Sequence, residues 1–116
     1  MTATSYSTRL THTGTEGDDL VTTVTVTGEI DVTNAEDLAR TLAGITSEHP
    51  LVLDLSELCY FDSAGFAVLD RVLSEGPVIV VLTPGSKLRK AATLMGLPYH
   101  DDAGTAQAEA RGQALP

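Results

Sequence analysis

The stretch Leu51 to Ser74, LVLDLSELCYFDSAGFAVLDRVLS, limits the possible folds of this chain more than any other. Leu51, Val52, Leu53 and Leu55 form an apolar run interrupted only by Asp54, a pattern that suits a strand covered on both faces at the centre of a mostly parallel sheet. Phe66, Leu69, Val72 and Leu73 then recur at helical spacing, with Asp70, Arg71 and Ser74 on the other face. A turn is expected through Glu57, Leu58, Cys59, Tyr60 and Phe61, and the helix is expected to start near Ser63. Asp62 or Ser63 can cap it, because a short side-chain oxygen accepts from a backbone N–H that has no intrahelical partner. Gly65 allows the turn to approach neighbouring backbone closely. A serine hydroxyl therefore stands at a helix N-terminus beyond the carboxyl end of a strand, where open α/β sheets carry their function.

The rest of the chain supplies the partners of this unit. Thr4 to His12 reads as an irregular edge strand, Gly14 to Asp19 as a polar turn, and Leu20 to Thr27 as a strand in which Val24 and Val26 alternate with threonines. The first strand is expected to pair with the second as a hairpin. Thr33-Asn34-Ala35-Glu36 matches a capping box, so a helix is predicted from about Asn34 to Gly44, with Ala35, Leu38, Leu42 and Ile45 inward and Asp37 and Arg40 outward. Glu48-His49-Pro50 leads into the central strand. Glu75-Gly76-Pro77 breaks the second helix, Val78 to Leu82 makes another buried strand, and Thr83 to Ser86 turns into a third helix running to about Met95. Leu88, Ala91, Ala92 and Met95 are expected inside it, with Gly96 as its C-terminal cap. Leu97 to His100 suggests a short edge strand, Ala103 to Arg111 a weak terminal helix, and Gly112 to Pro116 a frayed tail. The predicted class is α/β: a mixed, mostly parallel β-sheet of about four to five strands packed with about four α-helices and joined by right-handed crossovers.

A length of 116 residues suits one domain, residues 1–116, with its core at about residues 20–100. Seven basic residues against 16 acidic ones give a net charge of −9, which opposes binding to nucleic acid or anionic membranes by net electrostatics and leaves room for a basic partner. The lone Cys59 excludes an intramolecular disulfide and a zinc spacing. The start MTATSYSTRL has no basic segment followed by an apolar one, and no apolar run approaches the ~20 residues that span a bilayer. A cytoplasmic protein is expected.

Ser63 first invites an enzymatic reading. A nucleophile elbow has glycine two residues before and two after its serine; here Phe61 fills the first position and Gly65 the second. His12, His49 and His100 show no spacing that favours a triad, so a serine hydrolase is a remote alternative and a plain helix cap a closer one. Glu29 and Asp31 suit a solvated loop rim better than a metal or acid/base site. Asp54 must be hydrogen-bonded within its apolar run, most simply to backbone donors of the following turn. Cys59 reads as a small buried hydrophobe, and Lys87-Leu88-Arg89-Lys90 as an exposed helix face.

Gly28-Glu29-Ile30-Asp31, Asp54-Leu55-Ser56, Phe61-Asp62-Ser63-Ala64-Gly65, Thr83-Pro84 and Leu94-Met95-Gly96-Leu97, in this order, resemble the STAS domain of bacterial anti-sigma factor antagonists. The resemblance implies the STAS fold and a partner-switching regulator that is not an enzyme and needs no cofactor or metal. It implies that a GHKL-type serine kinase, itself the anti-sigma factor, phosphorylates Ser63, and that a PP2C-type phosphatase reverses this. Glu29, Asp31, Asp62, Ser63, Ala64, Gly65 and Phe66 are the implied partner contacts, and the isolated chain is expected as a monomer or weak dimer. Two departures stand out: Ala64 replaces a hydroxyl residue common in the family, and the segment from Ser74 to Val78 is short. Alternative readings are a scaffold subunit of a signalling assembly, or an accessory domain of a lipid or anion transporter.

Overall fold

The structure, a computed structural model, describes residues 5–13, 21–45, 51–76 and 78–114. The Gly14 to Asp19 turn, the Glu48-His49-Pro50 connection and the last two residues of the tail lie outside these residues. In chain order the elements are β1 (Tyr6–Thr13), β2 (Val21–Ile30), α1 (Ala35–Ile45), β3 (Leu51–Asp54), β4 (Leu58–Phe61), α2 (Ser63–Glu75), β5 (Val78–Val81), α3 (Arg89–Leu94) and α4 (Ala103–Ala114). They form a mixed five-stranded sheet with four helices. β1 pairs antiparallel with β2, as the hairpin reading required, and β2–β3 and β3–β5 are parallel.

Period-two alternation divides the core between the two faces of the sheet. Val24, Val26, Leu51, Leu53 and Val80 face α1 and α2 together with Leu38, Leu42, Phe66 and Leu69. On the other face Val21, Val52, Ile79 and Val81 meet Ala106 and Ala110. The terminal helix, weak by its own sequence, is thus a covering layer, and Gln107 Nε2 donates to Thr23 Oγ1 at 3.2 Å.

Several sequence expectations are corrected. Residues 58–61 form a strand, not a turn: β4 pairs in parallel with Gly28 to Ile30, following β3 along the same edge of β2. The pairing partner is a long-range extension of β2 past Thr27, which a local pattern of four residues does not reveal. Gly28 makes the extension possible. It has φ +103°, and a Cβ there would lie 2.4 Å from the Ser5 carbonyl oxygen. With β4 at the surface, Cys59 is exposed rather than buried.

In the capping box before α1, the Glu36 carboxylate does not take the Thr33 N–H. The Thr33 N–H goes to Asp31 Oδ1 at 2.8 Å, and the Glu36 carboxylate takes Arg71 Nη2 of α2 at 2.8 Å. α3 is one turn shorter than expected, because Ser86 Oγ accepts from Leu88 N and holds residues 86–88 as a turn. Met95 follows the helix and points outward at 56% exposure. In the Lys87 to Lys90 segment, Leu88 is buried and Arg89 ties back to Asp101 at 3.0 Å and to the Tyr99 ring at 5.0 Å, while Lys87 and Lys90 are exposed. The edge strand expected from Leu97 to His100 is a single bridge, His100 to Val81.

Candidate functional site

The carboxyl ends of the parallel strands are stitched together by their loops. Asp54, at the end of β3, accepts from Ser56 N at 2.9 Å, as an acid inside an apolar run requires. Ser56 Oγ in turn accepts from Thr83 N, beyond β5, at 2.9 Å. Where β2 ends, Asn34 Nδ2 donates to the Glu29 carbonyl and Asn34 Oδ1 accepts from Asp31 N, both at 2.9 Å. The Asp31 carboxylate is turned into its own loop, onto Thr33. Asp62 N donates to the Ile30 carbonyl at 3.3 Å, which sets the start of α2 beside the end of β2.

Asp62 is the cap of α2: its backbone is extended and its Oδ1 accepts from Gly65 N at 3.2 Å. Ser63 is the first helical residue, and it is exposed. Its hydroxyl has no hydrogen-bond partner among the described residues. Beneath it, the Phe61 and Phe66 rings meet edge to face with centroids 4.8 Å apart. Gly65 lies against this pair, where a Cβ would sit 3.0 Å from two atoms of the Phe61 ring. Phe66 and Gly65 are therefore buried supports of the turn, Ala64 is half-buried, and Glu29 and Ser63 are the exposed members of the predicted set.

Ser63 also stands at the end of a surface groove of about 320 Å³ between α2 and the segment after α3. Ser63, Phe66, Ala67 and Asp70 line one wall at successive helical turns, and Met95, Leu97 and Pro98 the other. The spacing from Ser63 contained the first wall. The second came together only through the loop that returns from α3.

Among the described residues no triad forms around Ser63. His12 Nδ1 lies 3.0 Å from Thr22 Oγ1, His100 pairs with Glu109, and neither lines the groove. Among the described residues no cluster of His, Cys, Asp and Glu could hold a metal ion, and no helix is long and apolar enough to cross a membrane. The fold and its candidate site define a class: a mixed α/β domain that presents an exposed serine on a capped helix start beside a groove.

The comparisons place this class within a family. The STAS domain family model matches residues 13–97, and the chain belongs to that family. Its fold superposes on an anti-sigma factor antagonist from Mycobacterium paratuberculosis with a TM-score of 0.75, at 26% identity over 92% of this chain and 95% of the other. The unphosphorylated form of the anti-sigma factor antagonist SpoIIAA superposes with a TM-score of 0.60, at 19% identity over 95% of this chain and 99% of the other, and supports the fold. Osmosensory protein A of Mycobacterium tuberculosis is 43% identical over 51 residues, which span 43% of this chain and 32% of that protein.

Proposed function

We propose that this chain is an anti-sigma factor antagonist whose binding is switched by phosphorylation of Ser63. The observation that carries the reading is the exposed, unbonded hydroxyl at the first position of a capped helix. The solved neighbours, antagonists in both cases and one of them in its unphosphorylated form, support it. In this reading the unmodified chain binds an anti-sigma factor that is also a GHKL-type serine kinase and so frees the sigma factor in the cytoplasm. The kinase ends the contact by modifying Ser63, and a PP2C-type phosphatase restores it.

The local chemistry suits such a switch. A phosphoryl group adds about −1.5 to −2 charge and three acceptor oxygens. At a helix start the free backbone N–H groups and the dipole favour that charge, so the fold tolerates it. A partner surface shaped around a neutral hydroxyl does not, because it meets the new charge beside Asp62, whose N–H is bonded to the Ile30 carbonyl at the end of β2. A loss of ~3 kcal/mol weakens binding more than a hundredfold. Gly65 and Phe66 serve the contact by holding the turn, and Ala64 leaves Ser63 without a neighbouring hydroxyl acceptor.

The test is recovery of partners from the source cell's lysate with wild-type, Ser63→Ala and Ser63→Asp baits, with mass spectrometry of the partners and of the wild-type phosphosite. Retention of a GHKL-type kinase by Ser63→Ala and its loss by Ser63→Asp is the expected result. Identical partners for both baits, with no phosphate on Ser63, would overturn it.

A further inference from the structure

β1 is an edge strand, and among the described residues nothing pairs with its outer side along its eight residues. Its pairing with β2 runs without a register shift from Tyr6↔Gly28 to Thr13↔Val21. Glu29 N donates to the Ser5 carbonyl at 2.9 Å, which fixes the alternation: Ser7, Arg9 and Thr11 turn their N–H and C=O groups toward β2. Tyr6, Thr8, Leu10 and His12 turn theirs outward. Edge strands are normally protected by proline, by bulges or by several charges. β1 has no proline, no bulge and one arginine, and Leu10 is 45% exposed at its middle. The opposite edge of the sheet differs, since Val80 and Leu82 beside it exchange backbone hydrogen bonds with His100, and Asp101, Asp102 and Glu109 follow nearby in sequence.

We propose that the β1 edge pairs antiparallel with β1 of a second copy of this chain, extending the sheet across a two-fold axis at Leu10. Charge selects this occupant and this register. The chain carries −9, yet residues 1–13 contain no acidic side chain, and the carboxylates of Glu57 and Asp37 that reach this strand are engaged by its own Arg9 and Tyr6, so this edge meets a second acidic copy with little repulsion. Outward-facing groups must meet outward-facing groups, which limits the centre of the pairing to a few residues. The register centred on Arg9 makes the longest ladder but sets Arg9 directly against Arg9, and the exposed pairing of Arg9 with Glu57 at 3.8 Å offsets little of that like-charge cost. The register centred on Thr8 sets Leu10 against Tyr6, whose ring packs on the core and whose hydroxyl is held by Asp37 at 2.7 Å. Centring on Leu10 joins the two exposed leucines, places Arg9 opposite Thr11 and Thr8 opposite His12, and opposes no like charges.

Such a contact is small, so the dimer is weak, with a dissociation constant on the order of 100 μM. Salt tightens it by screening the repulsion between two acidic bodies. Sedimentation equilibrium of the full chain from about 10 μM to about 1 mM is expected to show reversible dimerisation. Leu10→Lys and Thr8→Pro should each weaken it about tenfold or more. The first is a surface substitution; the second removes an N–H that β2 does not use, and circular dichroism checks that both variants fold. In a Cys59→Ser background, single cysteines at positions 8, 9 and 10 should cross-link under mild oxidation fastest at position 10. A monomer at all concentrations, a dimer unaffected by both substitutions, or fastest cross-linking at position 8 or 9 would each overturn the proposal.

Discussion

At the scale of single residues, the Ser63 turn rests on a few atoms that allow little substitution. Gly28 combines a positive φ with a Ser5 carbonyl oxygen where its Cβ would be. Gly28→Ala is expected to cost about 3 kcal/mol, from left-handed strain and displacement of β1 together, read as a lowered urea midpoint. Removing the cap with Asp62→Ala should cost about 1 kcal/mol. Ser63→Asp belongs to the opposite class, since it puts a carboxylate into the first turn of α2 and leaves the core untouched. It is expected to raise stability slightly, by about 0.3–1 kcal/mol at low salt, as measured by thermal melting. A Ser63→Asp variant that unfolds would mean that modification acts by disrupting the fold and not through the partner surface.

At the scale of elements, exposed carboxylates fasten the helices to their neighbours. Glu36 of α1 has its pKa lowered, first by its hydrogen bond to Arg71 of α2. Asp37 is lowered first by the Tyr6 hydroxyl of β1, and Asp102 first by the Thr105 N–H at the start of α4. All three pKa values fall on folding, so their contribution is full above the ordinary carboxylate range of about 4 to 4.5 and is lost as pH drops through and below it. Denaturation midpoints between pH 7 and pH 3 should be flat to about pH 5 and then decline. In Glu36→Gln the decline should be shallower, with α1 and α2 less firmly joined. A pH profile unchanged by that substitution would remove Glu36 from the account.

At the scale of the whole molecule, the two core layers carry different tasks. The face toward α1 and α2 holds the Ser63 turn, because Phe61 and Phe66 belong to its apolar cluster. The face toward α4 is a smaller cluster that reaches none of the turn residues. Replacing Ala106 with Asp would bury an unpaired carboxylate against Val52 and Val81, at a cost of about 3 kcal/mol or more. The expected signature is faster amide exchange in α4 and β5, with the proposed partner binding at Ser63 lost only as global unfolding sets in. Loss of binding at full stability would show instead that α4 takes part in the partner surface.

The elements that could be read from the sequence are those whose stability is local in pattern. The apolar run of β3, the helical spacing after Ser63, a cap at Asp62 or Ser63 and the valine alternation of β2 each report a periodicity or a nearby hydrogen bond, and each stands in the structure, with the cap falling to Asp62. The Asp54 carboxylate could be inferred in the same way, because an acid in an apolar run needs donors and the following turn supplies one. Tertiary structure decided the remainder. Residues 58–61 became a strand because β2 extends past Gly28 to receive them, and Cys59 came to the surface for the same reason. Glu36 left its capping box for Arg71, 35 residues away. Ala106 and Ala110 acquired a layer to cover, and Met95, Leu97 and Pro98 closed a groove beside Ser63. In each case the deciding partner is distant in the chain, and the short-range periodicity of a sequence carries no trace of it.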